Sequence, residues 1–216
     1  MLTATLQAAS QWTERMLIQW CLKGIRKRAS FGDNEAADLV AAGIQSNWLF
    51  NNGTMRMVTA IRTVQGLLNE TALITHINNY AAVTTTSPYI SLSAGVVLPH
   101  TTIGTRVFPA WKSAVDFATA RGSVAGYIYR VWTIVAPKPA PELMNVSDEI
   151  RNLNLFRAAW KHQHQGEITA KFVIPSSQIE YVVGVGADGK LTRFRVDNPR
   201  FVKPESICNL LEEINA

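Results

Sequence analysis

The residues best suited to chemistry cluster in one stretch, WKHQHQGEITAKFVIPSSQIEYVVGV, Trp160 to Val185. A polar patch there runs straight into an apolar, β-branched run that reads as a core strand. Gln165 and Glu167 lie two apart at this junction. In extended geometry both side chains point the same way. An ionised carboxylate so placed can accept a bond from a sugar hydroxyl and steady positive charge developing on that sugar. An amide beside it can both donate and accept. Two other short pieces set polar groups in apolar runs. Arg56 lies inside TMRMV, where a buried charge needs a partner. It is either an edge residue facing water or a guanidinium gripping a phosphate through paired donors. Ser91 and Ser93 in YISLS share one strand face. They can position a carboxylate and a sugar hydroxyl, or simply line a half-buried edge.

Other chemistries lack their signatures. His162 and His164 would share a strand face, but His76 and His100 have no local partner at metal-ligand spacing, so no metal site is expected. There is no P-loop, dinucleotide glycine fingerprint, HExxH or nucleophile elbow. The two cysteines, Cys21 and Cys208, can form a disulfide only if the chain ends meet, and the expectation is two reduced or buried thiols. The 216 residues are 47% hydrophobic, enough for one domain with a full core, or one domain with a terminal extension. The formal charge is +5 and the isoelectric point about 9.4. That balance favours acidic partners such as nucleic acid, anionic membrane or a phosphorylated ligand, without choosing among them. The basic run KGIRKR, Lys23 to Arg28, reads as a solvated helix end or as a phosphate-binding patch.

Elements must position these residues. Trp12, Met16, Leu17, Trp20 and Cys21 recur at helical spacing, with Gly24 able to stop the helix. Asp33 precedes NEAADLVAAGI, a second short helix. Residues 1–50 are therefore expected as a helical N-terminal extension, and 51–216 as the domain that carries the chemistry. TMRMVTAI reads as a strand and TVQGLLNETALITHINNYA as a helix. SPYISLS is a strand behind Pro88, and AWKSAVDFATA is a helix. GYIYRVWTIVA is a strong aromatic and β-branched strand ended by PKPAP. SDEIRNLNLFRAAW reads as a helix capped by Ser147. IEYVVGV and KLTRFRV flank GADG as a hairpin, and PESICNLLEEI reads as a closing helix. The mixed order predicts an α+β fold rather than regular parallel units.

Taken in order, Arg56, Ser91-x-Ser93 and Glu167 resemble the arginine, serine-x-serine and glutamate set of the mono-ADP-ribosyltransferase toxins of the cholera and heat-labile enterotoxin type. SPYISLS is similar to that family's Tyr-Val-Ser-Thr-Ser strand. GYIYRVWTIVAPKPAPELMNVSDEI is similar to its central Tyr-Ile-Tyr strand with the Asn-Val turn that follows. QGEITAKFVIPSSQIEYVVGV is similar to its catalytic-glutamate strand and the Ile-Pro-x-Ser-Gln-Ile stretch beyond. The resemblance spans about Thr54 to Val185. It implies a mixed and antiparallel two-sheet transferase fold, with N-terminal helices added in this chain, and NAD as substrate.

By that resemblance Arg56 holds the NAD phosphate and ribose region, with Arg62 as the alternative. Ser91 supports the glutamate and the nicotinamide ribose, Ser93 shapes the pocket, and Glu167 is the catalytic glutamate. Tyr89 could stack on nicotinamide. Two departures matter: Leu92 replaces the family's threonine, and Gln165 replaces the enterotoxins' second glutamate. A glutamine there resembles the branch that modifies asparagine of small GTPases and the pierisin-like branch that modifies guanine in nucleic acid. An amide suits a neutral acceptor better than a guanidinium. Gln165, with Trp160 or Phe156, would present the acceptor, although these aromatics could equally pack their helix onto the core. Lys161, His162 and His164 beside the amide lean the choice toward guanine in DNA, RNA or a nucleotide. A small GTPase, plain NAD hydrolysis or a non-catalytic basic binding module are the alternatives, and an immunity protein is a conceivable partner. The start of the sequence does not read as a secretory signal and no stretch reaches membrane-span length. The expectation is a secreted or delivered effector without a recognisable leader, or otherwise a cytoplasmic protein.

Overall fold

Aromatic and β-branched residues on both faces of one long strand set the architecture. In β6 (Gly126–Ala136), Tyr127, Tyr129 and Val131 enter the main core, while Ile128 enters a second layer on the opposite face. Strands buried on both faces belong at the centre of a sheet. This chain is α+β, and its computed structural model describes residues 17–52, 67–94, 96–100, 104–108, 110–136, 147–148 and 167–204.

The first strand, β1 (Leu17–Arg26), pairs antiparallel with β6 along its whole length, from Leu17 opposite Val135 to Arg26 opposite Gly126. The expected helix through Cys21 is therefore a strand from Leu17 onward. Cys21 is buried in the main core, and Cys208 lies outside the described residues. After β1 come α1 (Asp33–Ala42), β2 (Ile44–Gln45) and α2 (Asn47–Asn52). The start of α1 is closed by Glu35, whose carboxylate accepts from the Gly32 amide at 2.7 Å. The Tyr129 hydroxyl donates to the Ala36 carbonyl at 3.1 Å, tying this helix to β6. Next come α3 (Glu70–Asn78), a 3-10 turn (Tyr80–Val83) and β3 (Tyr89–Ser93). Asn69 caps α3 by accepting from the Ala72 amide.

A separate hairpin follows, β4 (Val96–His100) with β5 (Gly104–Phe108), and then α4 (Ala110–Ala118). Helix α4 lies very close to the sheet. A side-chain carbon at Gly24 would collide with the Ala114 carbonyl, and one at Gly126 with the Ala118 carbonyl. These two glycines face α4 from adjacent strands and leave a flat bed for it.

Beyond β6 come β7 (Ser147–Asp148), β8 (Glu167–Lys171), β9 (Val173–Ile174), β10 (Ile179–Val185) and β11 (Leu191–Asp197). Seven strands form one sheet in the order β1-β3-β8-β7-β6-β10-β11, with β1 also paired to β6. Ser147 and Asp148 pair parallel with β6, so Ser147 is not the expected helix cap. The predicted hairpin is present, with Gly189 at φ +77° in its turn. Between β8 and β9 the backbone of Phe172 adopts φ +58°, a left-handed conformation costly for a bulky residue. Three anchors hold it there. Its amide donates to the Pro88 carbonyl, its carbonyl accepts from the Ser46 amide, each at 2.7 Å, and its ring meets Trp48 edge-on. The turn sends β9 to pair with β2. No helix among the described residues is long and apolar enough to cross a membrane.

Candidate active site

The alternation of β8 answers why a carboxylate stands at the mouth of a buried strand. Ile168 and Ala170 enter the main core. Glu167, Thr169 and Lys171 point to the other face, opposite Ser93, Ser91 and Tyr89 of β3. All five β8 residues are buried, and Glu167 is only 6% exposed. Two neighbouring strands thus present one polar face, and Glu167 sits at its end.

The Ser91 hydroxyl hydrogen-bonds the Glu167 carboxyl. Its oxygen also lies 2.8 Å from Nε2 of His76, and Nδ1 of that ring lies 2.6 Å from the Ser87 hydroxyl. The Ser87 oxygen in turn accepts from the Tyr89 amide at 3.2 Å. Burial, reinforced by the Lys23 charge, lowers the His76 pKa to about 3, so the ring is neutral. One ring nitrogen donates and the other accepts. When Glu167 is ionised it can only accept, so every bond acquires a direction. Ser87 donates to Nδ1, Nε2–H donates to Ser91, and Ser91 donates to the carboxylate. The tautomer follows from Glu167's charge.

A cation completes the group. β1 and β3 meet at a single rung, Leu22 opposite Ser93, and then part. Past that rung the Ser91 carbonyl has no strand amide from β1. It accepts instead from Lys23 Nζ at 3.1 Å. Lys23 is half-buried by area, yet its ammonium lies deep enough that desolvation lowers its pKa to about 8, against the opposing pull of Glu167. Burial likewise raises the Glu167 pKa to about 7, opposed by the Ser91 bond and the Lys23 charge. Near neutral pH this carboxyl can hold or release a proton.

The parted strands border a cavity of about 540 Å³. This is within the usual range for small-molecule sites. Glu167, Ser91, Ser93, Lys23 and His76 are among the residues that line it. β2 and α2, brought here by the β2–β9 pairing, add Gln45, Ser46 and Asn47 as a neutral polar wall. Tyr80, 46% exposed, stands at this wall with its hydroxyl accepting from Asn47, and its ring meets His76 edge-on at 5.3 Å.

The structure therefore brings Glu167, Ser91 and Ser93 together. Tyr89 also borders the cavity, but its ring is buried against Leu73 and Phe172, and its hydroxyl donates to the Asn69 carbonyl at 3.2 Å. It supports the floor beneath His76 more than it offers an open face. Arg56, Arg62, Gln165, Trp160, Phe156, Lys161, His162 and His164 lie outside the described residues. Among the described residues no group of three His, Cys, Asp or Glu side chains could hold a metal ion. Sequence reasoning set Lys23 in a basic run that could bind phosphate but missed its place beside Glu167, and it missed His76. For Lys23 the available signal was the run LIQWCLKGIR, which reads as a two-sided buried strand once the competing helical spacing is set aside. For His76 there was none, because its partners are hydroxyls 11 and 15 residues away on another element.

No family model matches the sequence, and no curated protein matches it. Among solved structures, the chain is similar to a protein named EcPltA at 13% identity and a TM-score of 0.48, over 86% of this chain and 88% of that one. It is similar to a mutant of E. coli heat-labile enterotoxin at 16% identity and a TM-score of 0.42, over 88% of this chain and 80% of that one. It is also similar to a guanine-specific ADP-ribosyltransferase at 14% identity and a TM-score of 0.43, over 88% of this chain and 81% of that one.

Proposed function

We propose that the chain is a mono-ADP-ribosyltransferase of toxin or effector type. In this reading it cleaves NAD at the nicotinamide–ribose bond and passes ADP-ribose to a neutral acceptor, guanine in a nucleic acid or nucleotide. One observation carries the reading. A buried carboxyl, Glu167, is tied through Ser91 to a neutral His76 and set beside Lys23 at the base of a nucleotide-sized cavity. The motif resemblance supplies the reaction, and this geometry supports it.

Ionised Glu167 accepts a hydrogen bond from a ribose hydroxyl and faces the carbon where positive charge grows as nicotinamide departs. Ser91 serves as one donor to the carboxylate, and the ribose hydroxyl would be another. His76 fixes the rotation of the Ser91 hydroxyl. Lys23 offers the dinucleotide phosphates a positive charge, in the region where the resemblance assigns Arg56 a gripping role. Gln165, two residues before Glu167, matches the donor and acceptor pair of a neutral base.

The test incubates the protein with adenylate-labelled NAD and separate pools of DNA, RNA, guanine nucleotides and host protein that includes small GTPases. The expected result is nicotinamide release and labelled guanine, both reduced by about a hundredfold or more in Glu167→Gln. Equal labelling by that variant defeats the assignment, and label in the protein pool alone replaces guanine with a protein acceptor. Gln165→Glu should weaken transfer more than NAD cleavage, and a parallel fall in both would remove the amide from acceptor recognition.

A further inference from the structure

The basic run at the end of β1 has a role that the Glu167 cluster leaves unused. Arg26 and Arg28 border the same cavity as Glu167. Arg26 lies four residues along β1 from Leu22, the residue paired with Ser93, which is about 13 Å at strand spacing. Ser93 in turn pairs with Glu167. The two arginines therefore address a different part of a ligand from the part held at Glu167.

Lys27, Lys112, Arg130, Lys190 and Arg195 each have a carboxylate within ion-pair distance. Arg26 and Arg28 belong, with Arg121, Arg193 and Arg200, to the described cations that have no carboxylate within ion-pair distance among the described residues. Arg26 is anchored without being neutralised, because its Nε donates to the Phe117 carbonyl at 3.3 Å, at the C-terminal end of α4. That contact is possible because bare Gly24 and Gly126 let α4 settle onto the strands. The Phe117 side chain, 43% exposed, lines the same cavity as the two arginines. Planar cationic donors and an open aromatic face in one cavity match a phosphate attached to a flat base.

We propose that Arg26, Arg28 and Phe117 form a second phosphate subsite, in which the two guanidinium groups hold a phosphate monoester and the ring covers the nucleoside that carries it. Two sources share this chemistry. One is an additional phosphate on the adenosine end of the dinucleotide substrate. The other is the phosphate of a separate nucleotide acceptor. The inference rests on the transferase reading only for the word dinucleotide, because the cations and the ring stand beside the cavity whatever its reaction.

The experiment measures binding to the full chain by calorimetry at fixed ionic strength, in two arms. The first compares ADP-ribose with its 2′-phosphorylated form. The second adds guanosine or GMP to protein saturated with ADP-ribose. The expected result is that, in one arm, the phosphorylated ligand binds about tenfold more tightly or better than its counterpart. That preference should shrink by at least about threefold in the Arg26→Gln, Arg28→Gln double variant. A preference in the first arm assigns the phosphate to the dinucleotide, and one in the second assigns it to the acceptor. A smaller change, or no measurable binding of either phosphorylated ligand, overturns the proposal. Should the double variant melt early, Arg28→Gln alone serves, since that exposed side chain makes no hydrogen bond within the described residues. Nicotinamide release and the Glu167→Gln control are read separately. Lost phosphate preference with intact NAD cleavage in wild type refutes the subsite, whereas absent cleavage with an intact arginine-dependent preference refutes only the transferase reading.

Discussion

The opposing shifts at Glu167 and Lys23 predict a narrow pH optimum for the proposed NAD cleavage. The proposed chemistry requires Glu167 ionised and Lys23 protonated. Burial raises the first pKa to about 7 and lowers the second to about 8. The acid limb is therefore the loss of carboxylate as pH falls through 7, and the alkaline limb is the loss of ammonium as pH rises through 8. From these values, about 60% of molecules carry both charges at pH 7.5, and about 10% do so at pH 6 or pH 9. The quantity kcat/KM should fall about sixfold on either side. The assay is chromatographic nicotinamide release under subsaturating NAD. Lys23→Arg provides the control, because a guanidinium stays charged across this range. The variant should lose the alkaline limb, keeping activity at pH 9 within about twofold of that at pH 7.5, and retain the acid limb. An alkaline limb unmoved in Lys23→Arg would show that another group titrates there. A flat wild-type profile from pH 6 to pH 9 would refute the claim that these two charges act together.

Three further outcomes follow from the same geometry. Ser91→Ala removes the donor that holds the Glu167 pKa down, so the acid limb should move to higher pH and cleavage at pH 7.5 should fall about tenfold to a hundredfold; an unmoved limb would detach Ser91 from the carboxyl. His76 has a depressed folded pKa, so the unfolded chain takes the proton first and this contribution to stability is lost as pH falls from 6.5 toward 3. Glu167 has a raised folded pKa and works in the opposite sense between pH 7 and 4.5, so His76→Phe should gain about 2 kcal/mol relative to wild type between pH 7 and pH 5 in urea unfolding; a constant difference would place His76 outside the buried network. Gly24→Ala should cost about 1–3 kcal/mol and lower the melting temperature, because the added carbon collides with the Ala114 carbonyl; an unchanged melt would show that α4 does not need the bare strand.

Glu167, Ser91 and Ser93 were legible because each interrupts an apolar run at strand alternation, where a buried polar group needs a reason to be there. β6, β10 and β11 announced themselves through β-branched and aromatic residues and the Asp188-Gly189 turn. β1 did not. It is packed on both faces, with Cys21 in one layer and Leu22 against another, so it lacks alternation, and its Trp and Leu spacing imitates a helix. That misreading hid where Lys23 points, and so that this member of the basic run stands beside Glu167. Ser147 showed cap chemistry in sequence, but two backbone pairs to β6 prevailed over that local preference. The His76 network depends on which hydroxyls the fold brings to the ring, and no local spacing encodes that.

β1 and β3 share one rung and then separate. An opening made by unzipping two neighbours needs no flap. The same backbone groups that would close the seam are those left facing a guest, so closure and occupancy exclude one another. Lys23 acts as a strut across the gap: it satisfies the Ser91 carbonyl from a side chain and so removes that group's incentive to draw the strands together. Shortening the strut would favour a zipped, impermeable seam, and the aperture over Glu167 would narrow without any change to the carboxylate itself.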